Sequence, residues 1–101
     1  MPAYVINQLS IHDTSYQKDY YAKVGEITAR HGGKQIVGSP PIAKLEGDWE
    51  LPERVAVLEF PSVEHAMAWW NDPDYAPLKE ARQSCTTGRI MLVEGVKKPS
   101  Q

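Results

Sequence analysis

The sequence predicts an α+β fold, with one antiparallel sheet and helices on one of its faces. Segments with the two-residue period of strands and segments with the period of helices follow one another as strand, helix, strand, strand, helix, strand. Residues 55–60 are apolar almost without interruption, and a Pro-Ser break separates them from a helix with two adjacent tryptophans. A chain of 101 residues can bury one core but not two. We therefore expect a single domain over residues 1–96 and a polar tail over residues 97–101.

The first strand is predicted from Tyr4 to Ile11, where side chains alternate between a mostly apolar face and a mixed face. A helix should begin near Ser15, because Asp13 and Thr14 are both suitable N-cap residues. Gly32-Gly33 ends this helix, since glycine favours the backbone conformation that follows a helix C-terminus. The helix is long enough to cover a sheet.

The second strand is predicted from Lys34 to Ile42, and Pro40-Pro41 makes its far end an edge or an exit, because proline cannot donate to a strand ladder. Ala43 to Pro52 is a connection in which Trp49 needs cover from water. The third strand runs from Val55 to Phe60. Its nearly continuous apolar character indicates that both of its faces are covered.

Ser62 is predicted to cap the second helical region, which extends to about Asn71. The apolar face of this helix is expected to contain Val63, Ala66, Met67 and Trp70. Asp72-Pro73-Asp74 interrupts the helix, because proline does not continue a helical hydrogen-bond pattern.

Asp74 is then expected to cap a further short helix. The side chains that share one face of this helix are Tyr75, Leu78 and Arg82. Thr86-Thr87-Gly88 is expected to end it, and Arg89 to Glu94 to form the last strand.

The predicted element order is that of the ferredoxin-like βαββαβ fold. Helices on one face leave the other face of the sheet bare, yet the third and fourth strands are apolar on both sides. A symmetric homodimer that packs two sheets face to face would cover this surface with its own copy. We therefore expect a dimeric α+β barrel.

Composition excludes several classes of partner. The formal net charge is -2 and charges of both signs are interspersed, so no basic stripe predicts binding to nucleic acid or to an anionic membrane. The N-terminus does not resemble a signal peptide, and no apolar segment is long enough to span a bilayer. Cys85 is the single cysteine, which predicts a reducing compartment and a cytoplasmic protein. The three histidines and Cys85 lack paired ligand spacing, so no metal is expected.

Several short motifs in a fixed order resemble the DUF1330 family. In the second half of the chain they are Glu59-Phe60-Pro61-Ser62, Ala68-Trp69-Trp70, Asp72-Pro73-Asp74-Tyr75, Arg82, Gly88-Arg89 and Val93-Glu94-Gly95. Earlier matches are the turn at Asp13, Tyr20, His31-Gly32-Gly33 and Leu45-Glu46-Gly47-Asp48-Trp49. The resemblance covers nearly the whole chain. It implies a dimeric α+β barrel and no established reaction, so it predicts shape without chemistry.

Glu59 and Arg82 are the candidate catalytic residues. A carboxylate within an apolar strand is costly if it is buried and unpaired, so Glu59 must have a compensating partner or a raised pKa suited to acid or base chemistry. The alternative is a structural ion pair with Arg54, Arg82 or Arg89. Arg82 can likewise anchor a substrate carboxylate or pair with Glu59.

Candidate ligand-binding residues are Asn7, Tyr20, Trp69 and Tyr75. Adjacent tryptophans lie about 100° apart on a helix, so only one of them can face the core fully. Trp70 is expected there, and Trp69 either at the rim or against a ligand. The hydroxyls of Tyr16, Tyr20 and Tyr21 on the first helix, with that of Tyr75 on the last, could point into a cleft between helices and sheet. Such rings suit a pocket mouth and equally an ordinary helix–sheet boundary.

Two functional hypotheses follow. In the first, the protein binds or transforms a small organic molecule in a cleft between sheet and helices. In the second, it is a non-catalytic ligand-binding or structural homodimer, and its own side chains fill the cleft. The resemblance extends to dimeric barrels that include cofactor-free monooxygenases and haem-degrading enzymes, and Asn7 with Trp69 or Trp70 is loosely similar to the Asn and Trp of the latter. Residues 74–84 lack the histidine that haem degraders require, so no haem or other cofactor is expected.

Overall fold

The computed structural model describes residues 1–38 and 41–96 and has the predicted order of elements, with the second helical region divided in two. The strands are β1 (Ala3–Ile11), β2 (Lys34–Gly38), β3 (Arg54–Phe60) and β4 (Thr86–Glu94). The helices are α1 (Gln17–Arg30), α2 (Val63–Trp70) and α3 (Ala76–Cys85). The strands form one antiparallel sheet in the order β2-β3-β1-β4, as the α+β ferredoxin-like prediction required.

The two faces of the sheet differ in what covers them. Val5 and Phe60 point toward the helices and pack in a core with Ile27 of α1, Trp69 of α2 and Leu78 of α3. In each strand, every second residue points away from the helices, because side chains alternate between the two faces of a sheet. We call this second side the outer face. It carries Tyr4, Ile6, Val55, Val57, Met91 and Val93.

Two predicted helix starts are wrong in their capping residues. Asp13 accepts a hydrogen bond from the Ser15 N–H at 2.8 Å, which lowers the pKa of the Asp13 carboxyl, and α1 begins only after Tyr16 with no side-chain cap. At the third helix, Asp72 rather than Asp74 accepts a backbone hydrogen bond, from the Asp74 N–H at 2.8 Å. In both cases the carboxylate closes a tight turn before the helix instead of capping its first turn.

Two strand boundaries also differ from the prediction. β2 ends at Gly38, and residues 39–40 of the predicted longer strand lie outside the described residues, as does the predicted tail at 97–101. β4 begins at Thr86, because Thr86, Thr87 and Gly88 pair with the last residues of β1 instead of ending the helix. β2 lies at the edge of the sheet, as expected.

The predicted burial of the two tryptophans is reversed. Trp69 is 1% exposed, whereas Trp70 is partly buried. The buried residues of α2 are Ala66 and Trp69, three positions apart on one face, so the face against the core is rotated by about 100° from the one that the sequence suggested. Ser62 caps α2 as predicted, accepting a hydrogen bond from the His65 N–H at 3.2 Å.

The carboxylate of Asp72 connects the end of α1 to the turn between α2 and α3. It accepts hydrogen bonds from His31 Nε2 at 2.7 Å and from Arg30 Nη1 at 3.1 Å, and its side chain is 8% exposed. The His31 contact, the Asp74 N–H and Arg30 together lower the pKa of the Asp72 carboxyl. We call this group of contacts the Asp72 clamp.

Replacing Asp72 with asparagine is expected to cost most stability at neutral pH. A carboxyl whose pKa is lowered by folding stabilises the protein above its unfolded value, here 3.8, and loses this contribution as the pH falls through the lower folded value. The difference in free energy of unfolding between wild type and Asp72→Asn, measured in urea, should therefore shrink below pH 3.8. Asp74→Asn is the control with a smaller effect, because it removes only a largely exposed ion pair with Arg30, at 2.8 Å, and such pairs contribute little. A difference that does not change with pH would contradict this account.

Candidate functional site

A cavity of about 140 Å³ lies between α1 and the helix-facing side of the sheet. Leu9 of β1 with Ala56 and Leu58 of β3 form its floor, and Val24 and Gly25 of α1 form part of its roof. Arg82 of α3 lies at one side. The cleft expected between sheet and helices thus contains a cavity in this structure.

Arg82 is the main polar group of this cavity. It is 3% exposed, because the predicted face with Tyr75 and Leu78 turns α3 toward the interior. Within the described part of the chain, its Nε and Nη2 atoms are buried and have no hydrogen-bond partner. A guanidinium group stays protonated in proteins, so Arg82 places a positive charge and unused donors beside the cavity.

Tyr16, the N-cap residue of α1, and Tyr20, four residues later, line the same space. The Tyr16 hydroxyl is buried and has no hydrogen-bond partner among the described residues. The Tyr20 hydroxyl lies 2.9 Å from that of Tyr75. Burial raises the pKa of the Tyr20 phenol well above its usual value, the neighbouring Tyr75 raises it further, and Arg82 only partly opposes this change. Tyr20 is therefore a neutral phenol that can donate a hydrogen bond.

The charged residues around the cavity are all cationic. Arg54 lines it together with Arg82, and no described lining residue is an aspartate, a glutamate or a histidine. Lys34 also borders the cavity, but its ammonium group lies 3.5 Å from the Glu59 carboxylate on the outer face. The Arg54 guanidinium lies over the ring of Tyr21, 5.2 Å from its centroid. Charges of one sign around a low-dielectric space concentrate ligands of the opposite sign. The cavity is therefore suited to an anionic or oxygen-rich ligand.

The candidate residues from the sequence divide into two groups. Asn7, Tyr20 and Arg82 line the cavity together, and Asn7 Nδ2 lies 3.4 Å from the Ala56 carbonyl oxygen, to which it donates. Trp69 and Tyr75 instead stack on each other in the core, with ring centroids 4.5 Å apart. Trp69 also borders a separate apolar depression of about 260 Å³ between α2 and β4.

Glu59 lies on the outer face, on the opposite side of the sheet from Arg82. It pairs with Tyr4 across β1 and β3, and its Oε1 is 3.5 Å from Lys34 Nζ. The predicted partners Arg54, Arg82 and Arg89 are replaced by Lys34, which is directly opposite Glu59 in the ladder. The two candidate catalytic residues, Glu59 and Arg82, therefore lie on opposite sides of the sheet and do not share one site.

Sequence reasoning placed Tyr16 and Tyr20 at a possible cleft but missed Lys34 and Arg54 as site residues. The spacing of the two tyrosines was a usable signal, because residues four apart share a helix face. Lys34 and Arg54 gave none, since each is the first residue of its strand and only the strand pairing brings both to the cavity mouth.

Two classes of site find no support in the described residues. Within residues 1–38 and 41–96, no group of three or more His, Cys, Asp or Glu side chains is arranged to hold a metal ion. None of the helices described is both long and apolar enough to cross a membrane.

Comparisons with known proteins give a family and a fold. A family model described as a domain of unknown function, DUF1330, matches residues 2–96. No curated protein matches the sequence. A crystal structure of a protein of unknown function from Rhodopseudomonas palustris is similar with a TM-score of 0.79 and 21% identity, over 96% of this chain and 84% of that one.

Two further solved structures share the fold at lower identity. SnoaB, a cofactor-independent oxygenase from Streptomyces nogalater, is similar in a mutant form with a TM-score of 0.65 and 13% identity, over 99% of this chain and 98% of that one. An antibiotic biosynthesis monooxygenase gives a TM-score of 0.58 and 14% identity, over 96% of this chain and 100% of that one. At these identities the likeness concerns the fold alone.

Proposed function

Because this chain belongs to the DUF1330 family, which is defined without a function, we propose from its cavity that it binds a small organic molecule between α1 and the sheet. The observation that carries the proposal is a set of buried polar atoms beside the cavity without hydrogen-bond partners among the described residues, Nε and Nη2 of Arg82 and the hydroxyl of Tyr16. Buried polar groups in folded proteins are normally hydrogen-bonded, and a group without a partner costs about 1–3 kcal/mol. A bound ligand with acceptor oxygens would provide the partners.

The size of the cavity restricts the ligand. An engineered cavity of about 150 Å³ in another protein holds one benzene molecule, and this cavity of about 140 Å³ is similar. Its walls are mainly aliphatic and aromatic, as in other small-molecule sites. The ligand therefore has about the size of one ring with one polar group.

Binding is favoured over proton-transfer catalysis. A general base has to lie within hydrogen-bond reach of the proton it removes, and the described lining of the cavity contains no carboxylate or imidazole. A catalytic role for Glu59 stays an untested prediction, which its place on the outer face does not support. The oxygenase activity of SnoaB belongs to that protein, and the shared fold does not extend it to this chain.

A substitution at Gly25 tests the proposal, because Gly25 lines the cavity from an exposed position of α1 and a Cβ added there meets nothing within 4 Å. Leucine at this position should fill part of the cavity, and alanine, with a similar helix propensity, should not. We expect ligand-observed NMR to detect a one-ring probe such as phenol, benzamide or benzoate on wild type and on Gly25→Ala. Gly25→Leu should lose at least about tenfold in affinity, since extra volume in a filled site costs about 1–3 kcal/mol.

The same measurement can contradict the proposal. If none of the three probes binds wild type, or if a probe binds Gly25→Leu as well as Gly25→Ala, the cavity is not the binding site. Circular dichroism of both variants confirms that they are folded.

The expected homodimer remains part of the proposal. The apolar outer face supports it, because Met91 and Val93 are exposed there and no described element covers them. Trp49, which the sequence predicted to need cover, is 47% exposed beside the end of this face and would lie at the margin of the interface. Light scattering at micromolar concentration should give the mass of a dimer, and a monomer would contradict it.

A cytoplasmic location is proposed from the single cysteine, Cys85.

A further inference from the structure

We infer that the ligand of this cavity carries a carboxylate group, which binds side-on to the Nε and Nη2 atoms of Arg82. The inference rests on the proposed function, because it names the chemical class of the molecule that the cavity binds. The ligand is then a monocarboxylate with an apolar body of about one ring.

The position of the unused donors supports a two-oxygen group. Nε–H and one N–H of Nη2 lie on the same edge of the planar guanidinium and point in parallel directions. Both atoms are buried and without partners within the described residues. The two oxygens of a carboxylate match this edge with two parallel hydrogen bonds, whereas a single carbonyl oxygen can satisfy only one donor well.

The charge of the site supports an anion over a neutral group. No described aspartate or glutamate lines the cavity, and none of the ion pairs of the described chain involves Arg82. The nearby phenol of Tyr20 does not serve as a counter-anion, because burial raises its pKa well above the usual value and keeps it protonated. A buried charge is tolerated when an opposite charge accompanies it. A carboxylate would supply the missing negative charge.

The remaining walls define the rest of the molecule. Leu9, Val24 and Leu58 present aliphatic surface, and Tyr16 and Tyr20 present aromatic rings and hydroxyl groups. The unpartnered Tyr16 hydroxyl can donate to a carboxylate oxygen or accept from a hydroxyl group on the ligand. An apolar ring with a carboxylate at one end fits these surroundings.

Benzoate and benzamide form a matched pair of probes, since they have nearly the same shape and differ in charge. We expect titration calorimetry with the full chain to show that benzoate binds at least about tenfold more tightly than benzamide, because a hydrogen bond to a charged group contributes more than a neutral one. Arg82→Lys keeps a positive charge but loses the two-donor edge. It should weaken benzoate binding by about tenfold or more and change benzamide binding by less than about twofold.

Arg89→Lys is the control variant, because it makes the same substitution at an exposed position on the outer face. It should bind both probes like wild type. If Arg82→Lys does not fold, the benzoate-to-benzamide ratio of wild type still decides the question.

The outcomes separate the two proposals. Equal or tighter binding of benzamide, or unchanged benzoate binding by folded Arg82→Lys, overturns the carboxylate assignment and leaves the small-molecule site intact. Absence of binding by benzoate, benzamide and phenol alike contradicts the proposed function, and this inference with it.

Discussion

Replacing Trp69 with alanine is expected to lower the free energy of unfolding by about 3–5 kcal/mol, the usual loss when a buried aromatic side chain is removed. The indole is 1% exposed and stacks on the ring of Tyr75, with centroids 4.5 Å apart. It also packs against Phe60 at 5.3 Å. Denaturation in urea, followed by circular dichroism, measures the change.

Trp70→Ala is the matched control on the same helix. Trp70 is partly buried, and its clearest specific contact is with Lys79, whose Nζ lies 4.2 Å from the ring centroid. Such a cation–π contact contributes about 0.5–1 kcal/mol at an exposed site. We therefore expect a clearly smaller loss than for Trp69→Ala. A loss that is equal or larger would mean that Trp70 occupies the core, as the sequence suggested.

Replacing Arg82 with methionine is expected to raise the free energy of unfolding of the ligand-free protein by about 1–4 kcal/mol, the range seen when buried ion pairs are exchanged for apolar residues of similar volume, because a lone buried charge costs at least as much to desolvate. The guanidinium is 3% exposed and two of its nitrogens have no partner in the described chain, so the folded state bears a desolvation cost that methionine removes. The same variant should lose benzoate binding. Urea denaturation and calorimetry measure the two effects on one preparation.

Lys23→Met is the control, because Lys23 is exposed on α1, away from the cavity and the outer face, and substitutions at such positions change stability by less than about 0.5 kcal/mol. If Arg82→Met destabilises the protein by more than about 1 kcal/mol, the guanidinium has a structural role. If Arg82→Met instead raises the free energy of unfolding of the ligand-free protein, Arg82 is a residue that serves binding at the expense of stability.

Local patterns predicted most of the fold. Periodicity located all four strands and the helices, and the Ser62 cap fixed the start of α2. These features depend on neighbours within a few residues, which the sequence displays directly. The orientation of α2 was harder, because Trp69 and Trp70 are chemically equivalent and a rotation by one residue exchanges their places. Only the shape of the core between Phe60 and Tyr75 decides between them.

The site was predicted in part for a related reason. Arg82 shares a helix face with two apolar residues, which correctly indicated an inward direction. Glu59 belongs to a strand in which both alternating sets are mostly apolar, so the sequence could not assign it to either face of the sheet. The cavity itself is the small volume between α1 and the sheet that the surrounding side chains leave unfilled. No local pattern reports such a difference.

The Asp72 clamp has a consequence for how a molecule reaches Arg82. Helix α1 is fastened at its C-terminal end by the clamp and at the end of its first turn by the hydroxyl contact between Tyr20 and Tyr75. The N-cap residue Tyr16 provides no side-chain cap, and its hydroxyl has no partner within hydrogen-bond distance among the described residues. Helix ends without caps open at the lowest free-energy cost. A ligand can therefore enter by local opening of the chain before Tyr20, while the aromatic stack of Trp69 and Tyr75 stays closed.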